Sequence, residues 1–245
     1  MLAHIHKPSG EFADVAAFTA YLGFREKGYE IGFFDYEDMR QLQLGLDTPV
    51  VGGFRAVWEA LKLLEITPPI LDYIPQALAR YAGRTIWTST MQEVRRSVEA
   101  GRPVFAKPAA NRPKIFTGQV FRVLRDTIAS AAVPADFPVI CSDVIEFVSE
   151  YRVYVVRREA IAIKHYKGDF RRFPDVRVIG AALADYAEQP CGFGMDVGVT
   201  SDGRTLLVEV NDGYAIGNYG VHPILFATLL ECRWNEITGA DFQSG

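Results

Sequence analysis

The segment Leu206 to Asp212 reads LLVEVND. In an extended strand successive side chains alternate between faces, which puts Leu207, Glu209 and Asn211 on one side and Val208 and Val210 on the other. A carboxylate and an amide oxygen then project side by side from an apolar strand. Buried carboxylates are costly unless they are paired or bound to a metal. Asp196, in GFGMDVGVT, lies on the preceding strand, and Ser201-Asp202-Gly203 between the two strands is a hairpin signal. Asp196, Glu209 and Asn211 together are hard oxygen donors of the kind Mg²⁺ prefers. An edge strand with solvated polar residues is the plainer alternative. It serves well for one such residue and poorly for three that converge in an apolar setting.

Cations stand on other strands. Lys107 ends VFAK, Lys164 ends AIAIK, and Arg152 alternates with apolar residues in YRVYVV, on the face of Tyr154. Singly, such lysines are read as snorkelling. Together, three cations facing three metal-ligating groups suit a triphosphate whose oxygens a metal ion bridges. Lys114, in NRPKIFTG, sits in a loop that could close over phosphates with Gly118. An ordinary basic surface loop is an equal reading. Ser142 to Phe147, SDVIEF, is an apolar connector able to offer backbone groups to an adenine edge. His165 and His222 have no evident partner and are read as structural or surface residues.

The elements that must position these groups follow from periodicity. Helices are expected at FADVAAFTAYLGFREKG, ending at Gly28, and at GGFRAVWEALKLLEI, with Val57, Leu61 and Leu64 on one stripe. TMQEVRRSVEAG is a helix with Thr90 and Glu93 at capping-box spacing. DVRVIGAALADYAEQ and YGVHPILFATLLECRWNEIT complete the set, with Pro223 tolerated near a helix start. Strands are expected at YEIGFFDY, PVFAKP and Val139–Phe147, then as a hairpin of Tyr151–Val156 and Ala160–Tyr166.

Composition bounds the answer. The 245 residues are 49% hydrophobic and 23% charged, ordinary for a globular chain. A net charge of −4 gives no global attraction for nucleic acid or anionic membranes, which argues against both as partners while leaving room for a local basic groove. The stretch holding Lys107, Arg112, Lys114, Arg122 and Arg125 is such a candidate, though few aromatics interleave it. Cys141, Cys191 and Cys232 lie far apart and are expected to be isolated reduced thiols. No apolar run approaches the ~20 residues that span a bilayer. The N-terminus has no apolar leader, so a cytoplasmic location is expected.

VFAKP, the KIFTG loop, SDVIEFVSEYRVYV and MDVGVTSDGRTLLVEVNDGYAIGNYG together resemble the ATP-grasp superfamily over about residues 80–235. The similarity points to the divergent clade related to the eukaryotic translation-initiation-factor assembly chaperone. The resemblance implies an α/β (α+β) fold of two subdomains clasping ATP, preceded by a small α/β unit. The corresponding divisions are residues 1–72, then 73–245, with lobes at about 73–147 and 148–245. It implies ATP and Mg²⁺ as cofactors. Lys107 resembles the lysine on the α- and β-phosphates, and Lys114 that of the mobile loop. Val144 to Phe147, with Glu146 and Phe147, resembles the adenine linker, and Glu150 a group that holds ribose or supports Arg152. Arg152 and Lys164 resemble phosphate-side catalytic cations, and Asp196, Glu209 and Asn211 the Mg²⁺ ligands. Two departures stand out: the loop carries one glycine where many relatives have several, and the N-terminal unit is small.

The chemistry implied is ATP-dependent ligation, in which a carboxylate attacks the γ-phosphate and an amine then displaces phosphate from the acyl phosphate. The carboxylate belongs to a small molecule, peptide or protein. A non-catalytic ATP-binding assembly chaperone and an RNA-associated ATP-grasp enzyme are the competing readings. Oligomeric state is not encoded in any feature of the chain.

Overall fold

The computed structural model of the chain describes residues 1–68, 70–109 and 116–240. These fall into two compact units, one comprising Met1–Tyr81 with the chain from Phe147 onward, the other Ala82–Glu146.

The first unit opens with a parallel three-stranded sheet of order β2-β1-β3, from β1 (Leu2–His6), β2 (Glu30–Phe34) and β3 (Val50–Val51). Helix α1 (Val15–Glu26) connects β1 to β2, and its N-terminus is capped by Asp14, whose side chain accepts from the Ala17 N–H. Helix α2 (Phe54–Leu63) follows β3 and buries Val57 and Leu61, with Leu64 half-buried just beyond its end.

Four antiparallel strands make the second sheet of this unit: β8 (Phe147–Val156), β9 (Glu159–Gly168), β10 (Gly192–Thr200) and β11 (Thr205–Asp212), in the order β11-β10-β8-β9. The β8–β9 hairpin turns at Arg157 and Arg158, both at positive φ (48° and 72°), as a tight right-twisted hairpin demands. Between β9 and β10 lies α4 (Val176–Asp185), and α5 (Pro223–Thr238) closes the fold. Helix α5 ties the parts of this unit together. Phe226, Ala227 and Leu230 pack with Phe24, Ile5 and Tyr154, while Trp234 packs with Ala56, Val57 and Tyr214.

The second unit holds the sheet β4-β7-β5-β6, from β4 (Ile86–Thr90), β5 (Val104–Pro108), β6 (Gln119–Phe121) and β7 (Pro138–Ser142). Helix α3 (Met91–Glu99) covers it, burying Met91, Val94 and Val98, and Thr90 caps it by accepting from the Glu93 N–H.

Three expectations are corrected. Val139–Phe147 is not one strand: β7 stops at Ser142, and Phe147 opens β8 in the other unit's sheet. The stop is local, because Asp143 exchanges bonds with Thr85, its N–H donating to the Thr85 carbonyl at 3.1 Å and its carboxylate accepting from the Thr85 N–H at 2.9 Å. Strands β1 and β4 are additions that the periodicity of MLAHIH and TIWTST did not announce. Finally, Cys191 and Cys232 are not isolated thiols but a disulfide, their Cα atoms 5.9 Å apart across 41 residues of sequence. Residues just before β10 meet α5 there, a proximity that spacing alone does not reveal. Cys141 is the free, buried cysteine.

Candidate functional site

Strand pairing lines up four charged residues across the second sheet. Lys164 on β9 lies opposite Arg152 on β8, Arg152 opposite Asp196 on β10, and Asp196 opposite Glu209 on β11. Directly opposed residues share a face. Two cations and two carboxylates therefore form one row, positive at the β9 end and negative at the β11 end.

At the centre of the row, Arg152 grips Asp196 with both arms: Nε donates to Oδ1 and Nη2 to Oδ2, each at 2.7 Å. Both residues are buried, Asp196 at 2% exposure. Burial is the largest influence on Asp196 and pushes its carboxyl up to about 6, against the pull of the Arg152 guanidinium. The hydrogen bonds and charge of Asp196 hold Arg152 firmly protonated. Space for the guanidinium comes from Gly194, where an added Cβ would lie 3.3 Å from Arg152 Cδ and 2.3 Å from Ile216 Cδ1.

Asn211 draws the carboxylates together. Its Nδ2 donates to Asp196 Oδ2 at 3.3 Å and to Glu209 Oε1 at 3.2 Å. Asp196, Glu209 and Asn211 thus converge. One part of the strand differs from simple alternation. Asp196 and Val197, neighbours in sequence, pair with Glu209 and Leu207, which leaves Val208 as the extra residue of a bulge. Leu207 therefore opposes Val197, on the face away from Asp196, and is buried. Glu209 and Asn211 keep the face that the sequence assigns them, whereas Leu207 does not share it.

The donor set fits Mg²⁺ in chemistry: two carboxylates and one amide, all hard, with room for water or phosphate in the remaining octahedral positions. Among the described residues no group of three or more His, Cys, Asp or Glu is arranged to hold a metal ion, so the candidate rests on the mixed carboxylate–amide trio.

Around Arg152 stand aromatic groups that sequence reasoning passed over. The Arg152 guanidinium carbon lies 5.0 Å from the centre of the Tyr219 ring, and Tyr166 stacks on Tyr219 with centroids 4.8 Å apart and planes 21° from parallel. Tyr166 donates to Glu150 Oε2 at 2.8 Å, and Lys167 Nζ donates to Glu150 Oε1 at 2.5 Å. Glu150 is thereby committed to Tyr166 and Lys167 rather than bonded to Arg152. Burial is the largest influence raising the Tyr166 phenol above its ordinary range. The signal for Tyr219 was present in NDGYAIGNYG, directly after the metal-site strand, but nothing local links it to Arg152.

Strand β11 is fastened just beyond Asn211. Asp212 receives Arg233 of α5 in a second buried two-armed pair, at 2.7 and 2.6 Å, and Arg233 Nη1 reaches Glu236 at 2.7 Å. The Cys191–Cys232 disulfide fixes the same helix to the segment preceding β10. His165 is a structural residue, its ring 5.1 Å from that of Tyr151, and His222 is exposed at the start of α5.

The other candidates divide between the units. Phe147 opens β8 and packs on Gly198, where an added Cβ would lie 2.1 Å from its ring. Lys107 lies on β5 opposite Ile140, in the second unit. Glu146 ends that unit and pairs with Arg122 at 2.7 Å. Lys114 lies outside the described residues.

Known proteins share this architecture. A family model described as an ATP-grasp domain matches residues 81–229. No curated protein matches the chain. Among solved structures, the D-cycloserine synthetase DcsG is similar at 14% identity with a TM-score of 0.60, covering 96% of this chain and all of the other (100%). The D-alanine–D-alanine ligase from Bacillus anthracis complexed with ATP is similar at 15% identity and a TM-score of 0.59, covering 97% and 95%. The ADP complex of N5-carboxyaminoimidazole ribonucleotide synthetase is similar at 15% identity and a TM-score of 0.60, covering 96% and 76%. At such identities the likeness is one of fold. Since the family match spans more than half of the sequence, the chain belongs to the ATP-grasp domain family.

Proposed function

We propose that the protein is a Mg-ATP-dependent ligase that activates a carboxylate as an acyl phosphate and joins it to an amine or similar nucleophile, with peptides and proteins among the candidate substrates. The observation that carries this reading is the charged row Lys164–Arg152–Asp196–Glu209 with Asn211 bridging its acidic end. Phosphoryl transfer needs little covalent help from protein. It needs position and charge compensation, and a row graded from cationic to anionic has a place for both phosphate and metal.

In this reading Asp196, Glu209 and Asn211 hold Mg²⁺, which would neutralise phosphate oxygens when bound. Arg152 and Lys164 are the catalytic cations, directed at charge that builds as the γ-phosphoryl moves. Lys107 and Lys114 serve the nucleotide's phosphates, and Glu146 and Phe147 flank the adenine. Glu150, held by Tyr166 and Lys167, serves the ribose side. The arrangement at residues 1–72 is the accessory unit, and 73–147 and 148–245 are the two lobes. A cytoplasmic location goes with this reading. Among the described residues no helix is long and apolar enough to cross a membrane.

The test is ADP release in the presence of Mg-ATP, with panels of amino acids and peptides as carboxylate and amine donors. Substrate-dependent ADP release together with a condensed product in mass spectrometry is the expected result. Nucleotide binding without turnover across the panels would favour the assembly-chaperone reading instead. Lys107→Ala is expected to weaken ATP binding about tenfold or more, the scale of one lost charge-assisted hydrogen bond. Unchanged affinity in calorimetry would remove Lys107 from the site.

A further inference from the structure

Arg152 makes two kinds of contact, and only one is ionic. Its edge is taken by Asp196, while its face meets the ring of Tyr219 at 5.0 Å. A guanidinium placed over a partly desolvated aromatic ring is attracted by the ring's quadrupole. Tyr219 is not there by the chance of a loose loop. Its N–H donates to Tyr154 Oη at 2.9 Å, and that hydroxyl donates to the Gly217 carbonyl at 2.8 Å. Tyr154 is wholly buried and lies on β8 two residues from Arg152. The strand that carries the arginine thus also anchors the loop that carries the ring. The loop is tied internally as well: Asn218 Oδ1 accepts from the N–H groups of Gly220 at 2.6 Å and Val221 at 2.8 Å, and Gly220 makes the turn at φ +91°. Tyr166 stacks on the same ring from β9.

We infer that Tyr219 is a positioning residue for Arg152, its ring fixing the plane of the guanidinium while Asp196 fixes its edge. The inference deepens the proposed function, since it rests on Arg152 serving the terminal phosphate. Asp196 alone leaves the guanidinium able to rock about its two hydrogen bonds. Once a cation claims part of the Asp196 carboxylate, the ring remains to hold the plane. Tyr219 is 42% exposed, so the ring borders the open side of the site, where it can act on a group that must reach a ligand.

The experiment compares wild type, Tyr219→Phe and Tyr219→Leu in the full chain. One readout is the Arg152 Nε–H resonance in ¹⁵N-arginine-labelled protein, assigned by its loss in Arg152→Lys. The second is the ratio of Mg-AMPPNP to Mg-ADP affinity by calorimetry, with melting temperature followed throughout. Tyr219→Leu is expected to move the Arg152 resonance and lower the AMPPNP-to-ADP affinity ratio about five- to thirtyfold, the range of a partly desolvated cation–π contact. Tyr219→Phe, which keeps the ring, should retain both wild-type values. An unmoved resonance in Tyr219→Leu overturns the positioning role. A moved resonance with an unchanged ratio, in Tyr219→Leu and in Arg152→Lys alike, leaves Tyr219 as the arginine's support but removes the phosphate assignment of Arg152. Should Tyr219→Leu melt far below wild type, Tyr166→Leu, which removes the stacked neighbour and leaves the 217–220 loop its anchors, gives the same comparison, and wild-type values there count against the inference.

Discussion

Arg152 and Asp196 form a buried pair joined by two 2.7 Å hydrogen bonds on adjacent strands. A lone charge left in that position has no solvent to turn to. Arg152→Ala or Asp196→Ala is therefore expected to destabilise the fold by about 3–5 kcal/mol. The double replacement Arg152→Met with Asp196→Leu should recover most of that loss. Urea unfolding of the three variants checks the ordering, and single variants within about 1 kcal/mol of wild type would mean that water reaches the pair.

Glu209 is half-buried and sits at the acidic end of the row. Glu209→Ala should reduce Mg-dependent ATP turnover by about a hundredfold or more, the scale of losing one group aimed at developing charge. Its melting temperature should stay near that of wild type. Wild-type-like turnover would remove Glu209 from the metal site.

The pH dependence has a definite sign. Burial pushes the Asp196 carboxyl up to about 6, and a carboxylate serves as a metal ligand only when deprotonated. Mg²⁺ affinity should be level above that pH and fall by up to about tenfold per unit below it. Calorimetric titration with Mg²⁺ at pH 5 and pH 7.5 separates this from the flat profile expected of an ordinary exposed aspartate.

The Cys191–Cys232 bridge closes a 41-residue span. Chain-entropy reasoning gives such a closure about 4 kcal/mol, so reduction, or Cys232→Ala, should lower stability by roughly 2–4 kcal/mol. Non-reducing peptide mapping should recover the two cysteines in one linked fragment. Cys141, whose thiol burial pushes up to about 11, should resist alkylation until the protein unfolds. Disulfides persist where thiols are not continually reduced, a circumstance that the cytoplasmic expectation did not include.

Where chemistry was written in neighbouring residues, it could be read. LLVEVND announced Glu209 and Asn211, and the Ser201-Asp202-Gly203 turn brought Asp196 to them. The mixed α/β architecture and most helices followed from the apolar stripes of α2 and α3 and from caps such as Thr90. What escaped was set by partners distant in sequence. Leu207 left its expected face because β10 pairs around Val208, and Val208 carries no mark of that. Tyr219 gained its place from Tyr154, 65 residues earlier. Cys191 found Cys232 only because α5 folds back on the segment before β10. β7 ended at Ser142 because Asp143 bonded to Thr85 across 58 residues.

The unmatched valine at position 208 changes which residues of β11 count as odd and even relative to β10. Before it, the strand buries leucines against its partner; after it, oxygen-bearing side chains occupy the cleft side. Lengthening the tip at Ser201–Arg204 leaves that parity alone. Deleting the single residue at 208 would rotate Glu209 and Asn211 out of company with Asp196 while leaving every functional side chain in the sequence. Such a protein would retain all its ligands and lose their meeting point.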